Sequence, residues 1–147
     1  MTAAPAGYSG KPLVAKLGIK EGQRVAILSA PDPVPDGLAR MPSGVSLATR
    51  LRGARFDQIL LFTTRRSDLE KRFAQAARAL DPAGAIWVSW PKKASGVATD
   101  ITEDTVREVA LPAGFVDNKV CAVDQTWSGL RCVVRLENRP GARAKKK

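Results

Sequence analysis

The sequence predicts an α/β protein whose mostly parallel sheet ends in an antiparallel hairpin. Apolar runs with strand character alternate with amphipathic helical segments in its second half, an order typical of parallel sheets with helical crossovers. The last two runs, Val116–Asp124 and Leu130–Leu136, are joined by a tight connection, so they should pair antiparallel. At 147 residues, 44% of them hydrophobic, the chain is long enough for one domain with a substantial core.

We expect this single α/β domain to occupy residues 10–137. The stretch before it, 1–9, consists of small residues with proline and glycine, which predicts a flexible N-terminus. The stretch after it, 138–147, contains five basic residues and no acid, which predicts a disordered basic tail.

The first half of the domain contains short elements separated by glycine and proline. A short helix is expected near Lys11–Leu17, ended by Gly18. The apolar run Arg24–Ala30 predicts a strand, and Val45–Leu51 predicts a second, partly exposed strand. Between them, the sequence PDPVPDG at 31–37 precludes a regular helix directly after the first strand.

The clearest element is the central strand. Phe56–Thr63, FDQILLFT, is an apolar run without a breaker, as expected for a strand covered on both faces. Ser67 and Glu70 have the spacing of a capping box and predict the start of a helix. The apolar residues that then repeat at helical spacing are Leu69, Phe73, Ala76, Ala77 and Leu80. The sequence DPAG at 81–84 predicts the end of this helix.

A second amphipathic helix is predicted over Ile101–Leu111, because its apolar residues fall on one side and its charged residues elsewhere. Thr99, Asp100 or Thr102 is available as its N-terminal cap. The sequence PAG at 112–114 predicts its end.

The tryptophans are expected to serve packing. Ala85–Trp90 predicts a buried strand in which Trp87 and Trp90 point to opposite faces of the sheet. Trp127 lies in Thr126–Gly129, which predicts the turn of the final hairpin. We expect Trp127 to pack over a strand end rather than to contact a partner.

Side chains suited to catalysis are scarce. The chain has no histidine, which removes the commonest general base and metal ligand. Cys121 and Cys132 lie in apolar runs and are expected to be buried free thiols rather than a disulfide. Acids near lysines, such as Asp100 with Lys93, are interpreted as salt bridges and caps. We therefore predict no metal, no cofactor and no catalytic residue.

The net charge of +10 suits a polyanionic partner or, equally, a solvated basic face. No apolar run approaches the roughly 18 residues of a membrane-spanning helix. The first ten residues lack the charged and apolar regions of a secretory signal. We therefore expect a cytoplasmic protein with no membrane partner.

In parallel α/β sheets, ligands bind beyond the carboxyl ends of the strands. Four segments should converge there: 29–32, 63–66, 91–100 and the hairpin tip near Asp124. The residues predicted to bind an anion at this edge are Lys92, Lys93, Ser95 and Thr99, supported by Arg65 and Arg66. Amines, hydroxyls, guanidinium groups and a helix N-terminus together suit a phosphate or carboxylate. The alternative is a solvated loop that merely caps a helix, beside surface arginines.

Long stretches of the chain resemble the bacterial family known as domain of unknown function 3052. They are GYSGKPLVAKLGIK at 7–20, LLF at 60–62, the arginine-rich middle, and the run from WPKKASGVATD to CVVR at 90–135. The resemblance implies no activity that can be transferred.

The segment Phe56–Arg135 is also similar to the second half of class I methyltransferases, which implies a Rossmann-like fold. The first half departs from that pattern. S-adenosylmethionine sites need a glycine-rich turn after the first strand and an acid at the end of the second. Here the first turn is APDPVPDG at 30–37, and 45–55 contains no acid. Only Asp32 or Asp36 is available as a substitute.

These observations predict a non-enzymatic binding or regulatory domain with an anion site at the carboxyl edge of its sheet. Its ligand would be a small phosphate-bearing or carboxylate molecule. One alternative is a basic protein that associates with nucleic acid through its tail and the Arg50–Arg72 region. Another is an atypical S-adenosylmethionine-dependent methyltransferase.

Overall fold

The computed structural model of this protein describes residues 11–53 and 55–138, which form a six-stranded sheet with helices on its faces. In chain order, the helices and strands are α1 (Leu13–Lys16), β1 (Arg24–Leu28), β2 (Ser46–Ala48), β3 (Phe56–Phe62), α2 (Arg66–Ala79), β4 (Leu80–Pro91), α3 (Glu103–Ala110), β5 (Phe115–Ala122) and β6 (Trp127–Val134). Single 3₁₀ turns lie at Asp36–Leu38, Lys93–Ser95, Leu111–Ala113 and Leu136–Asn138.

The strand order is β2-β1-β3-β4-β6-β5. Strands β2, β1, β3 and β4 are parallel to one another, whereas β6 is antiparallel to both β4 and β5. The predicted fold class, a mostly parallel sheet with a C-terminal antiparallel hairpin, is confirmed.

One face of the sheet is covered by α2 and α3. These helices bury Leu69, Phe73 and Val106 against the strands. Phe73 meets Phe115 of β5 edge to face, with ring centroids 5.1 Å apart, a favoured arrangement for aromatic rings. This face therefore contains the larger part of the core.

The other face is covered by much less chain. Leu17, Ile19 and Leu38 pack there, beside Trp87 of β4. The Trp87 indole Nε1 donates a 2.9 Å hydrogen bond to the Leu17 carbonyl oxygen, which holds the end of α1 against the sheet. Because α1 has only four residues, part of this face stays open at both of its ends.

The predicted packing of the tryptophans is found in the structure. Trp87 packs on the thinly covered face and Trp90 on the helical face. Trp127 packs edge to face on Phe62, the last residue of β3, at a centroid distance of 5.2 Å. Cys121 and Cys132 are free and buried, as expected.

The predicted start of α2 was wrong. The N-cap is Arg65, whose own side chain makes no capping hydrogen bond, and Ser67 lies inside the first turn of the helix. Instead, the exposed N–H of Arg66 donates to Asp100 Oδ1 at 2.7 Å. A carboxylate from another segment therefore does the work that the capping box was expected to do.

Two further boundaries differ from the prediction, and one open alternative is decided. The DPAG sequence at 81–84 lies within β4, which starts at Leu80. The turn of the hairpin lies at 123–126, so Trp127 to Gly129 belong to β6. Of the three predicted caps of α3, Thr102 is the one used, and its hydroxyl accepts from the N–H of Thr105.

The predicted flexible N-terminus at 1–9 and residues 139–147 of the predicted tail lie outside the described residues. Asn138, the first residue of that predicted tail, ends a 3₁₀ turn and donates through its side-chain amide to the Gly114 carbonyl oxygen. Within the described part of the chain, none of the helices has the length and apolar character required to cross a membrane.

Candidate functional site

Three of the four segments predicted to converge at the carboxyl edge contact one another. The Lys92 N–H donates to the Thr126 carbonyl oxygen at 2.7 Å. The Thr99 hydroxyl donates to the Thr64 carbonyl oxygen at 2.7 Å, which joins the loop after β4 to the segment after β3. The edge is therefore built from the loops that the parallel topology places there.

Most polar groups of the predicted anion site take part in internal hydrogen bonds. The Ser95 hydroxyl donates to the Lys92 carbonyl oxygen at 2.6 Å and accepts from the N–H of Val97. The Thr99 hydroxyl also accepts from the N–H of Ile101. The Lys92 ammonium donates to the Asp124 carbonyl oxygen at 2.8 Å. These groups stabilise the loop itself.

The two predicted arginines differ in their surroundings. Arg66 forms ion pairs with Glu70 at 3.1 Å and with Glu108 at 2.5 Å, and so ties α2 to α3. These hydrogen bonds, first the one to Glu108, raise the pKa of Arg66. Arg65 and Lys93 are exposed. Anion binding by the six predicted residues stays a prediction.

A cleft at this edge lies beside the Lys92 loop rather than inside it. We call it the carboxyl-edge cleft. Its volume is about 680 Å³. It is bounded by α1 with the preceding residues 11–12, by the proline-rich segment 33–40 that follows β1, and by the hairpin tip 122–126. Because β6 starts at Trp127 opposite Pro91, the last residue of β4, this tip lies at the carboxyl edge.

The walls of the carboxyl-edge cleft are held by specific contacts. Gly37 packs so closely on α1 that a Cβ at this position would lie 2.6 Å from the Leu13 Cβ. At the tip, Asp124 Oδ1 accepts from the N–H groups of Thr126 and Trp127 at 2.8 and 2.7 Å. Lys92 binds the Asp124 carbonyl oxygen from outside. The cleft is therefore bounded by ordered segments on two sides.

Cations and apolar side chains line the carboxyl-edge cleft together. Lys11, Lys16 and Arg40 contribute positive charge, and Val34 exposes 47% of its surface there. Two acids also line it, Asp36 and Asp124, the second of which is engaged in the turn just described. Such a lining suits an anion with an apolar part.

Sequence reasoning missed Lys11, Lys16 and Arg40. The prolines at 31–35 marked the loop after β1, but no pattern placed α1 across the end of the sheet. The contact that brings α1 there is the hydrogen bond from Trp87 to Leu17, between residues 70 positions apart.

The thiols are not activated. Burial raises the pKa of the Cys132 thiol to about 12. Burial also raises the pKa of Cys121, against the opposing effect of Lys16, Lys119 and Lys92. A thiol in its neutral form is a poor nucleophile. Among residues 11–53 and 55–138, no group of three His, Cys, Asp or Glu side chains is arranged to hold a metal ion.

A family model described as "protein of unknown function (DUF3052)" matches residues 15–136. The chain belongs to this family. No curated protein matches the sequence. The resemblance stated from the sequence is therefore confirmed for the DUF3052 family.

Solved structures similar to this DUF3052 protein are methyltransferases or related proteins. A SAM-dependent methyltransferase from Aquifex aeolicus is 13% identical, with a TM-score of 0.59 over 84% of this chain and 88% of that one. Magnesium protoporphyrin IX methyltransferase from Synechocystis PCC 6803 with bound SAM is 11% identical, with a TM-score of 0.55 over 84% and 74%. A Methanococcus jannaschii fibrillarin pre-rRNA processing protein is 11% identical, with a TM-score of 0.54 over 79% and 68%. These likenesses show the fold, which is that of class I methyltransferases.

The residues after β1 do not fit the SAM that this fold implies. A SAM site needs glycines whose backbone the cofactor can approach. Gly37 is the one glycine in 29–38, and its open side is filled by Leu13. The chain leaves β1 through Ser29 at a φ of 56° and then through a cis Asp32–Pro33 bond. β2 ends at Ala48, and 45–55 contains no acid for a ribose.

Proposed function

We propose that this DUF3052 protein is a non-enzymatic binding domain that holds a small anionic ligand in its carboxyl-edge cleft. The observation that carries this proposal is the position of the cleft, beyond the ends of β1 and β4, where α/β sheets bind ligands. Its volume of about 680 Å³ lies in the range of small-molecule sites.

The charges and shape of the cleft favour one orientation of the ligand. Lys11 and Arg40 are exposed and lie on two different walls of the cleft, one beside α1 and the other at the end of the proline-rich segment. An arginine binds phosphate or carboxylate with two parallel hydrogen bonds, and a lysine adds a point charge. Val34 and Leu13 offer an apolar surface to the rest of the ligand. We expect an anion with an apolar or planar portion, of the size of a nucleotide or a phosphorylated metabolite.

Two features argue against group transfer in this cleft. The loop after β1 lacks the backbone cradle for SAM. Among the residues described as lining the cleft there is no cysteine, serine or tyrosine; the one hydroxyl side chain there is that of Thr126, and the neighbouring acid, Asp124, accepts two backbone hydrogen bonds. The arrangement supports binding rather than catalysis.

The test is isothermal titration of the purified protein with adenosine 5′-phosphate, a phosphorylated carboxylic acid and SAM. We expect binding of at least one of the two phosphates and a loss of about tenfold or more in affinity in Lys11→Gln/Arg40→Gln. The matched control is Arg65→Gln/Lys93→Gln, which removes the same charge from the same edge outside the cleft. Its affinity should equal that of the wild type.

The same titration separates the alternatives. Binding that is lost in the Arg65/Lys93 variant and kept in the Lys11/Arg40 variant would place the anion at the Lys92 loop. Tight binding of SAM would overturn the non-enzymatic reading. Absence of binding by all three compounds would contradict the proposal.

A further inference from the structure

A second cleft of about 420 Å³ opens on the same face of the sheet, at the other end of α1. We call it the amino-end cleft. Its residues are Ala15, Lys16, Leu17, Gly18, Lys20, Gln23, Gln58, Ala83, Asn118, Lys119 and Arg131. They come from the chain before β1, from the early parts of β3 and β4, and from the β5–β6 pair. The floor of the cleft is therefore the sheet itself, where α1 is too short to cover it.

The lining of the amino-end cleft carries positive charge alone. Four of its residues are basic, Lys16, Lys20, Lys119 and Arg131, and none of the lining residues, all of which the structure describes, is acidic. A concave surface lined by one sign of charge concentrates the potential and attracts counter-ions. This distinguishes it from the carboxyl-edge cleft, which contains two acids.

Two of these cations are held in place by the sheet. Lys119 and Arg131 are direct cross-strand partners in β5 and β6. Like charges in this position destabilise a strand pair. The Lys119 ammonium donates to the Lys16 carbonyl oxygen at 3.0 Å, and Arg131 Nη1 donates to Asn118 Oδ1 at 3.3 Å. The two like charges therefore lie side by side at the cleft, an arrangement that an anion between them would stabilise.

Gln58 provides a second, independent observation. Its side chain projects from β3 and is only 4% exposed. Its Nε2 donates to the Gly18 carbonyl oxygen at 3.2 Å, whereas its Oε1 is buried and receives no hydrogen bond from any residue in 11–53 or 55–138. A buried acceptor without a partner is costly and uncommon in native proteins. A ligand with a hydroxyl group would supply the missing donor.

We propose that the amino-end cleft binds a small hydroxylated phosphate ester of the sugar phosphate class. Lys20, Lys119 and Arg131 bind the phosphate oxygens. Gln58 Oε1 accepts a hydrogen bond from a hydroxyl of the sugar portion, directly or through one water molecule. This site lies at the other end of α1 from the carboxyl-edge cleft, with which it shares Lys16, and it does not depend on the function proposed for that cleft.

The experiment is isothermal titration of the full chain at low ionic strength with ribose 5-phosphate, inorganic phosphate and ribose. We expect ribose 5-phosphate to bind more tightly than inorganic phosphate, and ribose to give no signal. In Lys119→Gln/Arg131→Gln the affinity for ribose 5-phosphate should fall by about tenfold or more. Lys11→Gln/Arg40→Gln removes two charges from the other cleft and should leave the affinity unchanged.

Gln58→Met separates the two parts of the proposal. In this variant, ribose 5-phosphate should bind only as tightly as inorganic phosphate. The affinity for inorganic phosphate should be the same as in the wild type. If the variant does not fold, the side-chain amide resonances of Gln58 in the wild-type protein are the readout, and they should shift with ribose 5-phosphate but not with ribose.

The site would be overturned if neither phosphate binds, or if the wild type and Lys119→Gln/Arg131→Gln bind ribose 5-phosphate with equal affinity. Binding that is lost only in the Lys11/Arg40 variant would place the phosphate in the carboxyl-edge cleft and overturn it as well. Equal affinities for ribose 5-phosphate and inorganic phosphate would overturn the role of Gln58.

Discussion

Gly37 sets the distance between two walls of the carboxyl-edge cleft, and Gly37→Ala tests whether that distance matters. A Cβ at position 37 would lie 2.6 Å from the Cβ and 2.7 Å from the Cδ2 of Leu13, where ordinary contacts are 3.4–4 Å. The Leu13 Cβ is fixed to the backbone and cannot rotate away. The 3₁₀ turn at Asp36–Leu38 must therefore move about 1 Å from α1, a kind of overpacking that costs about 1–3 kcal/mol.

Urea unfolding measures this cost, and titration with the ligand found for the cleft measures its effect on binding. We expect both the free energy of unfolding and the affinity to fall. Leu13→Ala removes the Cδ2 contact and keeps the Cβ contact, so the double variant should recover part of the lost stability. Gly96→Ala is the control: Gly96 has a φ of 78° and open space around it, so alanine strains another loop of this edge without a clash. Wild-type stability of Gly37→Ala, or an equal loss of affinity in Gly96→Ala, would refute the reasoning.

Three further predictions concern the core. Burial raises the pKa of the Cys132 thiol from its ordinary value of 9.0 to about 12. As the pH rises, this thiol therefore ionises in the unfolded chain at a lower pH than in the folded protein. The stability that the buried neutral thiol contributes is complete below pH 9 and is lost as the pH rises toward 12, by about 1 kcal/mol at pH 10. Urea unfolding of wild type and Cys132→Ala from pH 8 to 10 measures the difference, and parallel curves would contradict it. Phe73→Ala removes a buried ring and its contact with Phe115, and should lower the free energy of unfolding by about 3–5 kcal/mol. In Gly84→Ala the new methyl group would meet the Asp57 carbonyl oxygen, so this variant should lose at least about 3 kcal/mol in the same assay or fail to fold.

The elements that were predicted well are those whose signal lies within their own sequence. Phe56–Phe62 is apolar without interruption because both of its faces are covered, and it is a central strand. Leu69, Phe73 and Ala76 repeat at helical spacing because one side of α2 packs on the sheet. Trp87 and Trp90, three positions apart, had to face opposite sides of a strand. In each case local periodicity and tertiary packing agree.

The boundaries were predicted less well because distant residues decide them. Ser67 and Glu70 satisfy a local capping rule, yet Arg66 receives its acceptor from Asp100, 34 positions away. The final hairpin turns at 123–126 because Asp124 accepts two backbone N–H groups and because Trp127 packs on Phe62. A local sequence pattern predicts a possible acceptor, but it cannot predict a competing acceptor from a distant part of the chain.

The same limit explains the candidate site. Topology alone placed a site at the carboxyl edge, and the loops do meet there. A side chain at this edge is available to a ligand only if its donor groups are not already used in hydrogen bonds within the protein. Ser95 donates to the Lys92 carbonyl oxygen within its own loop, and Thr99 and Lys92 donate to carbonyl oxygens of neighbouring segments, so these donors build the edge. The charged side chains that line the carboxyl-edge cleft come instead from the segments that cover the other face of the sheet, namely Lys11, Lys16 and Arg40. Because α1 is short, it leaves a cleft at each of its ends. Both clefts are lined by basic residues that no sequence motif marks.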